Sequence, residues 1–138
     1  MLAFVIAHWY LFLALVVVGG LLLAGSALEG GGPGTQKVTC QEAVQVLNHK
    51  SAVIVDVREP QEFASGHIAR AINIPLGQVA TRSQELKKYR EKPIIVCCAS
   101  GARSARAAGI LRKAGFTDVR NLAGGLSAWR GANLPTIS

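Results

Sequence analysis

The first 28 residues contain no Lys, Arg, Asp or Glu, and 23 of them are apolar. Such a stretch cannot face water along its length, and it exceeds the roughly 20 apolar residues that cross a hydrocarbon core. Its densest part is Leu11 to Ala24, LFLALVVVGGLLLA, preceded by His8, Trp9 and Tyr10. Trp and Tyr favour the headgroup level and would mark one interface. A cleaved secretory signal is the other reading, with small residues at Gly25-Ser26-Ala27. The length of the run and the lack of an early Lys or Arg favour a retained transmembrane helix over residues 1–28. All 15 Lys and Arg follow Leu28. The positive-inside bias therefore predicts a single-pass anchor in the cytoplasmic membrane, with the rest of the chain facing the cytoplasm.

Glu29 to Gly34, EGGGPG, cannot pack a core and reads as a flexible linker over residues 29–35. Residues 36–138 are a normal length for one small domain. With 50% apolar and 17% charged residues, the chain is not disordered throughout. Three cysteines, two of them adjacent, are too few for a disulfide scaffold and fit a reducing compartment.

Within that domain, strands and helices alternate. Thr39-x-x-Glu42 is a capping box opening a helix to about Asn48, which buries Ala43, Val44 and Leu47. Residues 52–57 (AVIVDV) and 94–97 (IIVC) are nearly uninterrupted, β-branched apolar runs, as in strands buried on both faces of a parallel sheet. Pro60 opens a short helix to Ser65. Residues 71–74 and 119–122 read as further strands, and residues 81–90, 102–114 and 125–131 as helices. The pattern predicts an α/β fold, a parallel sheet with helices on both faces. Ligands of such sheets bind beyond the carboxyl ends of the strands.

Beyond the second strong strand the chain reads Cys98-Ala99-Ser100-Gly101-Ala102-Arg103-Ser104 and enters a helix at once. A tight loop of small residues can turn several N–H groups toward one anion, and the helix start adds partial positive charge. A cysteine there ionises more readily than a free one. Arg103 adds a fixed charge that can fork to an oxyanion. The arrangement suits a nucleophilic thiolate, Cys98, acting on an anionic substrate. Cys97 lies one residue earlier in the strand, so its side chain points to the opposite face and reads as core. Cys40 starts a helix, which would acidify it somewhat, but no partner accompanies it and it receives no role.

The loop Cys98-x-x-Gly101-x-Arg103-Ser104 resembles the active-site loop of rhodanese-type sulfurtransferases. Asp56-Val57-Arg58-Glu59-Pro60-Gln61-Glu62-Phe63, Gly66-His67-Ile68 and Ala71-Ile72-Asn73-Ile74-Pro75 resemble that family's N-terminal signature. Gly124-Gly125, Trp129 and Leu134-Pro135 resemble its C-terminal one. Arg70 stands where the family more often has a small residue. The resemblance implies a rhodanese-like fold and a Cys98 persulfide. Sulfur would come from a small anionic donor such as thiosulfate, or from a persulfide, and go to a thiol, cyanide or a protein acceptor. The backbone N–H groups of Ala99, Ser100, Gly101, Ala102 and Arg103 would stabilise thiolate, persulfide and leaving anion. That chemistry requires no metal and no organic cofactor.

Cys97 to Arg103 also satisfies the one-residue-longer loop, C-x5-R, of phosphatases on this fold, where a wider cradle takes phosphate or arsenate. Gly101 falls where the shorter loop needs it, which favours Cys98. A Cys97–Cys98 disulfide would be strained. Asp56 is expected to hold loop N–H groups or pair with an arginine, and Arg58 to help attract anions. His67 is expected to be a hydrogen-bonded scaffold residue, and Trp129 an anchor. Arg103, Arg106 and Lys113 share one helix face by spacing. The net charge of +7 suits anionic lipid, an anionic donor or an acidic partner, and no motif supports nucleic acid. The competing view from another class is a membrane-tethered interaction module that recruits, through membrane proteins, rather than catalyses.

Overall fold

The computed structural model describes residues 1–28 and 35–138, the side chains of residues 25–28 excepted. Five parallel strands form the sheet: β1 (Gln36–Val38), β2 (Val53–Asp56), β3 (Ile72–Asn73), β4 (Ile94–Cys97) and β5 (Val119–Leu122), in the order β1-β5-β4-β2-β3. The two continuous apolar runs are the neighbours β2 and β4, with Val55 opposite Val96 and Asp56 opposite Cys97. Every residue of both strands is buried. The expected sheet is thus present, with β1 added at one edge. In β1 only Val38 faces inward, too little pattern to read from sequence.

Alternation along the strands divides the core in two. Val53, Val55, Ile94, Val96 and Cys98 lie with Ala107, Ala108 and Leu111 of the helix α6 (Ala102–Lys113). Ile54, Ile95 and Cys97 lie on the other face, with Ala43 of α3 (Cys40–His49) and Leu126 and Trp129 of α7 (Gly125–Gly131). Helices thus cover both faces, and the adjacent cysteines belong to different cores.

Local signals explain the helix boundaries. Thr39 caps α3 with a full capping box: its Oγ1 accepts from the Glu42 N–H at 3.2 Å and Glu42 Oε2 accepts from the Thr39 N–H at 3.4 Å. Pro60 occupies the first turn of α4 (Pro60–Ala64). The single helix expected over residues 81–90 is instead a 3₁₀ turn at Leu76–Gln78, α5 (Val79–Arg82) and a 3₁₀ helix at Ser83–Tyr89. The apolar residues that meet the core are spaced by three, Leu76 with Val79 and Leu86 with Tyr89. Three residues per turn keeps both members of each pair inward. Arg70, the departure from the family pattern, holds a left-handed backbone with φ 67°. Glycine suits that position because a Cβ is disfavoured there.

The N-terminal segment departs from expectation. It is helical but broken at His8 into α1 (Leu2–Ala7) and α2 (Trp9–Leu28). His8 leaves helical geometry (φ −122°, ψ 20°), and its Nδ1 lies 2.9 Å from the Phe4 carbonyl. Among the described residues no helix is long and apolar enough to cross a membrane, so the continuous span expected over residues 1–28 is not present in that form. The expected glycine-rich linker falls at residues 29–34, outside the described residues.

Candidate active site

β4 delivers Cys98 to the carboxyl edge of the sheet, between Asp56 at the end of β2 and Asn121 in β5. The next residues turn back to start α6, and Gly101 makes that turn at φ 108°, a backbone region that favours glycine. Two bonds from the start of α7 seat the loop: the Leu126 N–H donates to the Cys98 carbonyl at 2.8 Å and the Ser127 N–H to that of Ala99 at 3.0 Å. Gly125 permits this approach. A Cβ there would lie 2.3 Å from the Cys98 carbonyl oxygen.

Inside the loop, the Gly101 N–H donates to Cys98 Sγ at 3.0 Å. Burial opposes ionisation of Cys98, but bonds from the Ser104 hydroxyl and from the N–H groups of Ser104, Gly101 and Ser100 outweigh it, so the thiol lies below its ordinary pKa. Cys97 is the reverse case. It is fully buried in the opposite core, and burial with the Asp56 carboxylate nearby drives its thiol well up. The nucleophile expected from the loop therefore has the environment of a thiolate, and its neighbour has that of a hydrophobe. Cys40 does not gain acidity from its helix start, because burial raises its pKa.

Ser104 Oγ lies 3.4 Å from Cys98 Sγ, 3.1 Å from the Gly101 carbonyl and 2.6 Å from Asn121 Oδ1. The one hydroxyl proton serves one acceptor at a time, and Cys98 Sγ and Asn121 Oδ1 compete for it. Asn121 also donates through Nδ2 to the Gly101 carbonyl at 3.2 Å. Ser104 thus links the sulfur to a buried amide on the neighbouring strand. Sequence reading missed Asn121, because a polar residue inside a strand signals nothing until its partner is known.

Asp56 pairs with an arginine as expected, whereas the two arginines differ from expectation. Arg58 is 4% exposed and its charge is paired with a buried carboxylate. Its Nη2 and Nε donate to Asp56 at 2.8 to 3.1 Å, and its guanidinium also bonds the carbonyls of Glu62 and Gly66 at 3.2 and 2.7 Å. Asp56 accepts the Arg58 N–H as well, at 3.0 Å. This buried pair clamps the loop after β2, and its charge is balanced. Arg103 forks to Glu62 at 2.6 and 3.0 Å and so does not stand open in the loop mouth. The hydrogen bonds from its guanidinium hold the Glu62 carboxyl down to about 2. Arg106 and Lys113 lie exposed on the outer side of α6.

His67 stacks on Phe63 with ring centroids 3.7 Å apart, and its Nδ1 lies 2.8 Å from the Phe63 carbonyl. A carbonyl only accepts, so Nδ1 carries the proton. The backbone of His67 bridges to Ile137. Both bonds place it in the scaffold. Trp129 is buried and donates to the Pro135 carbonyl at 3.0 Å. A cavity of about 360 Å³ is lined by Ala99, by Glu62 and Ser65, and by Leu126, Ser127 and Arg130 of α7. Arg58 lies at its wall.

Comparison with known proteins agrees with this geometry. The family model described as a rhodanese-like domain matches residues 39–132. The uncharacterized protein YibN of Escherichia coli K12 is 40% identical over 101 residues, covering 72% of this chain and 71% of its own. A sulfurtransferase of Allochromatium vinosum is 36% identical over 94 residues, 68% of this chain and 86% of its own. The crystal structure of a rhodanese-related protein from Thermoplasma volcanium superimposes with a TM-score of 0.67 at 29% identity, covering 74% of this chain and 97% of that one.

Proposed function

The chain belongs to the rhodanese-like family, and from that premise we propose that it is a sulfurtransferase in which Cys98 carries the sulfur. The Cys98 thiolate attacks the outer sulfur of thiosulfate or of an organic persulfide. The donor S–S bond breaks, its electron pair leaves with sulfite or the donor thiolate, and Cys98 holds a persulfide. A thiol, cyanide or a protein thiolate then attacks that outer sulfur and regenerates the Cys98 thiolate. The observation that carries this reading is the bond from the Gly101 N–H to Cys98 Sγ at 3.0 Å, within a loop whose donors favour the anionic sulfur. The loop N–H groups from Ala99 to Arg103 are the substrate-binding elements. Asp56, Arg58, Ser104 and His67 support them as positioning residues.

Brief exposure to thiosulfate followed by peptide mass mapping tests this. One sulfur added to Cys98 and removed by cyanide is the expected result. Sulfur on Cys97 would move the nucleophile and revive the longer phosphatase-type loop. No sulfur on any cysteine of folded, reduced protein, from thiosulfate or from an organic persulfide, would overturn sulfur transfer.

We further propose that lipid covers the N-terminal helices and holds the domain at the cytoplasmic face of the membrane. Phe4, Ile6, Trp9 and Leu11 are exposed, and so are the successive residues Leu15, Val16, Val17 and Val18, which point all round the helix. A helix apolar on every side, with no charge, is poorly matched to water. Flotation of the full chain with vesicles, lost on deletion of residues 1–28, is the expected result. A cellular defect from that deletion but not from Cys98→Ser would favour a recruiting module over anchored catalysis.

A further inference from the structure

Both arginines that the sequence offers to an anion are committed to carboxylates, Arg58 to Asp56 and Arg103 to Glu62. The cavity beside Ala99 holds a third guanidinium, Arg130 of α7. Arg130 is exposed, and among the described residues no carboxylate pairs with it. Its head is nevertheless placed. It lies over Gly66, close enough that a Cβ at that position would meet its Nη2 at 2.6 Å. Ser127, one helical turn earlier, lines the same cavity, and so does Ser65. The acid in that wall, Glu62, is already neutralised by Arg103. The cavity is thus a net-positive chamber with hydroxyls, lined by Ala99, the residue that follows Cys98, and at about 360 Å³ it is much larger than a thiosulfate ion needs.

We propose that Arg130, with the Ser127 hydroxyl, forms a carboxylate-binding subsite that selects small organic thiols carrying a carboxylate as sulfur acceptors. The proposal rests on the reading of Cys98 as the sulfur carrier. The acceptor thiol loses its proton to solvent. Its sulfur attacks the outer sulfur of the Cys98 persulfide, forming a new S–S bond. The bond between that outer sulfur and Cys98 Sγ breaks, its electron pair stays on Sγ, and the acceptor departs as an organic persulfide. No external oxidant or reductant enters. The carboxylate held by Arg130 keeps the acceptor sulfur facing the loop.

The test uses the full chain loaded with sulfur from thiosulfate and freed of excess donor. Single-turnover transfer is measured to 3-mercaptopropionate and to its uncharged amide, in wild type, Arg130→Gln and Arg130→Lys. Each protein meets the same two thiols, so intrinsic thiol reactivity cancels when the acid-to-amide ratios are compared. The ratio is expected to fall about fivefold in Arg130→Gln, through weaker saturation rather than a lower maximal rate, and to be partly restored by Arg130→Lys. A ratio that is the same in all three overturns the subsite. A second arm needs no sulfur transfer. The rate of Cys98 alkylation by iodoacetate, divided by that by iodoacetamide, is read by mass on unloaded protein. It is expected to fall in Arg130→Gln, and no change there counts against the subsite as well. If no persulfide forms, the sulfur-carrier reading fails by itself, while the alkylation ratio still decides whether Arg130 receives a carboxylate.

Discussion

Arg103 and Glu62, 41 residues apart in sequence, form a forked ion pair of 2.6 and 3.0 Å beside the Cys98 loop. The pair ties the start of α6 to α4, so the loop between Cys98 and Arg103 is held at both ends. It also means that the charge of the loop arginine is already balanced.

The first prediction follows from that pair. Glu62 titrates at about 2 in the folded protein, against 4.5 for an ordinary glutamate. A lowered folded pKa stabilises above the unfolded value and is lost as pH falls toward the folded one. Wild type should therefore lose stability relative to Glu62→Gln between pH 4.5 and about 2. At neutral pH the difference should not exceed about 1 kcal/mol, because both side chains are about a third exposed and solvent screens them. Denaturant unfolding at a series of pH values checks this, and a gap that is flat with pH contradicts it.

A second prediction concerns the adjacent thiols. Cys98 should react with iodoacetamide at pH values below those at which an ordinary thiol does, because its thiolate is held by the loop donors. Cys97 should stay unmodified until the protein unfolds, being fully buried with its thiol pushed up. Peptide mapping after limiting alkylation reads both sites, and early label on Cys97 would refute the assignment.

Ser104→Ala removes the hydroxyl that lies 3.4 Å from Cys98 Sγ and 2.6 Å from Asn121 Oδ1. Alkylation of Cys98 at neutral pH should slow by about fivefold, and its pH profile should move upward. Stability should drop by about 1–3 kcal/mol, since Asn121 Oδ1 is left buried without that partner. An unchanged pH profile would show that Ser104 serves only Asn121.

Gly125→Ala sets a Cβ against backbone, 2.3 Å from the Cys98 oxygen and 2.9 Å from Ala99 C and Ser100 N, at φ 56°. None of those atoms can swing aside. The variant should lose more than about 2 kcal/mol and fail to load sulfur. Gly131→Ala, with nothing within 4 Å of its Cβ, is the matched control and should unfold near wild type.

Much of the fold was legible because it depends on local rules. The runs at residues 52–57 and 94–97 announce strands buried on both faces, and Thr39 and Pro60 sit at helix boundaries for reasons of capping and backbone geometry. Cys98 was legible because a cysteine between a buried strand and a small-residue helix start is chemically unusual. The broken helix over residues 76–89 was not, since spacing by three and by four differ only once the core decides which residues face it.

By itself, then, the order of residues determined a parallel α/β sheet, the loop at its carboxyl edge and the cysteine within it, because each follows from periodicity and short-range chemistry. Tertiary structure alone decided how the charges are spent. Arg58 and Arg103 look equally available in sequence, yet the end of β2 turns one onto Asp56 and α4 brings Glu62 to the other. The register of β5 sets Asn121 behind Ser104, and α7 carries Arg130 to the cavity. Which partner neutralises a side chain depends on distances across the fold, and spacing along the chain does not contain them.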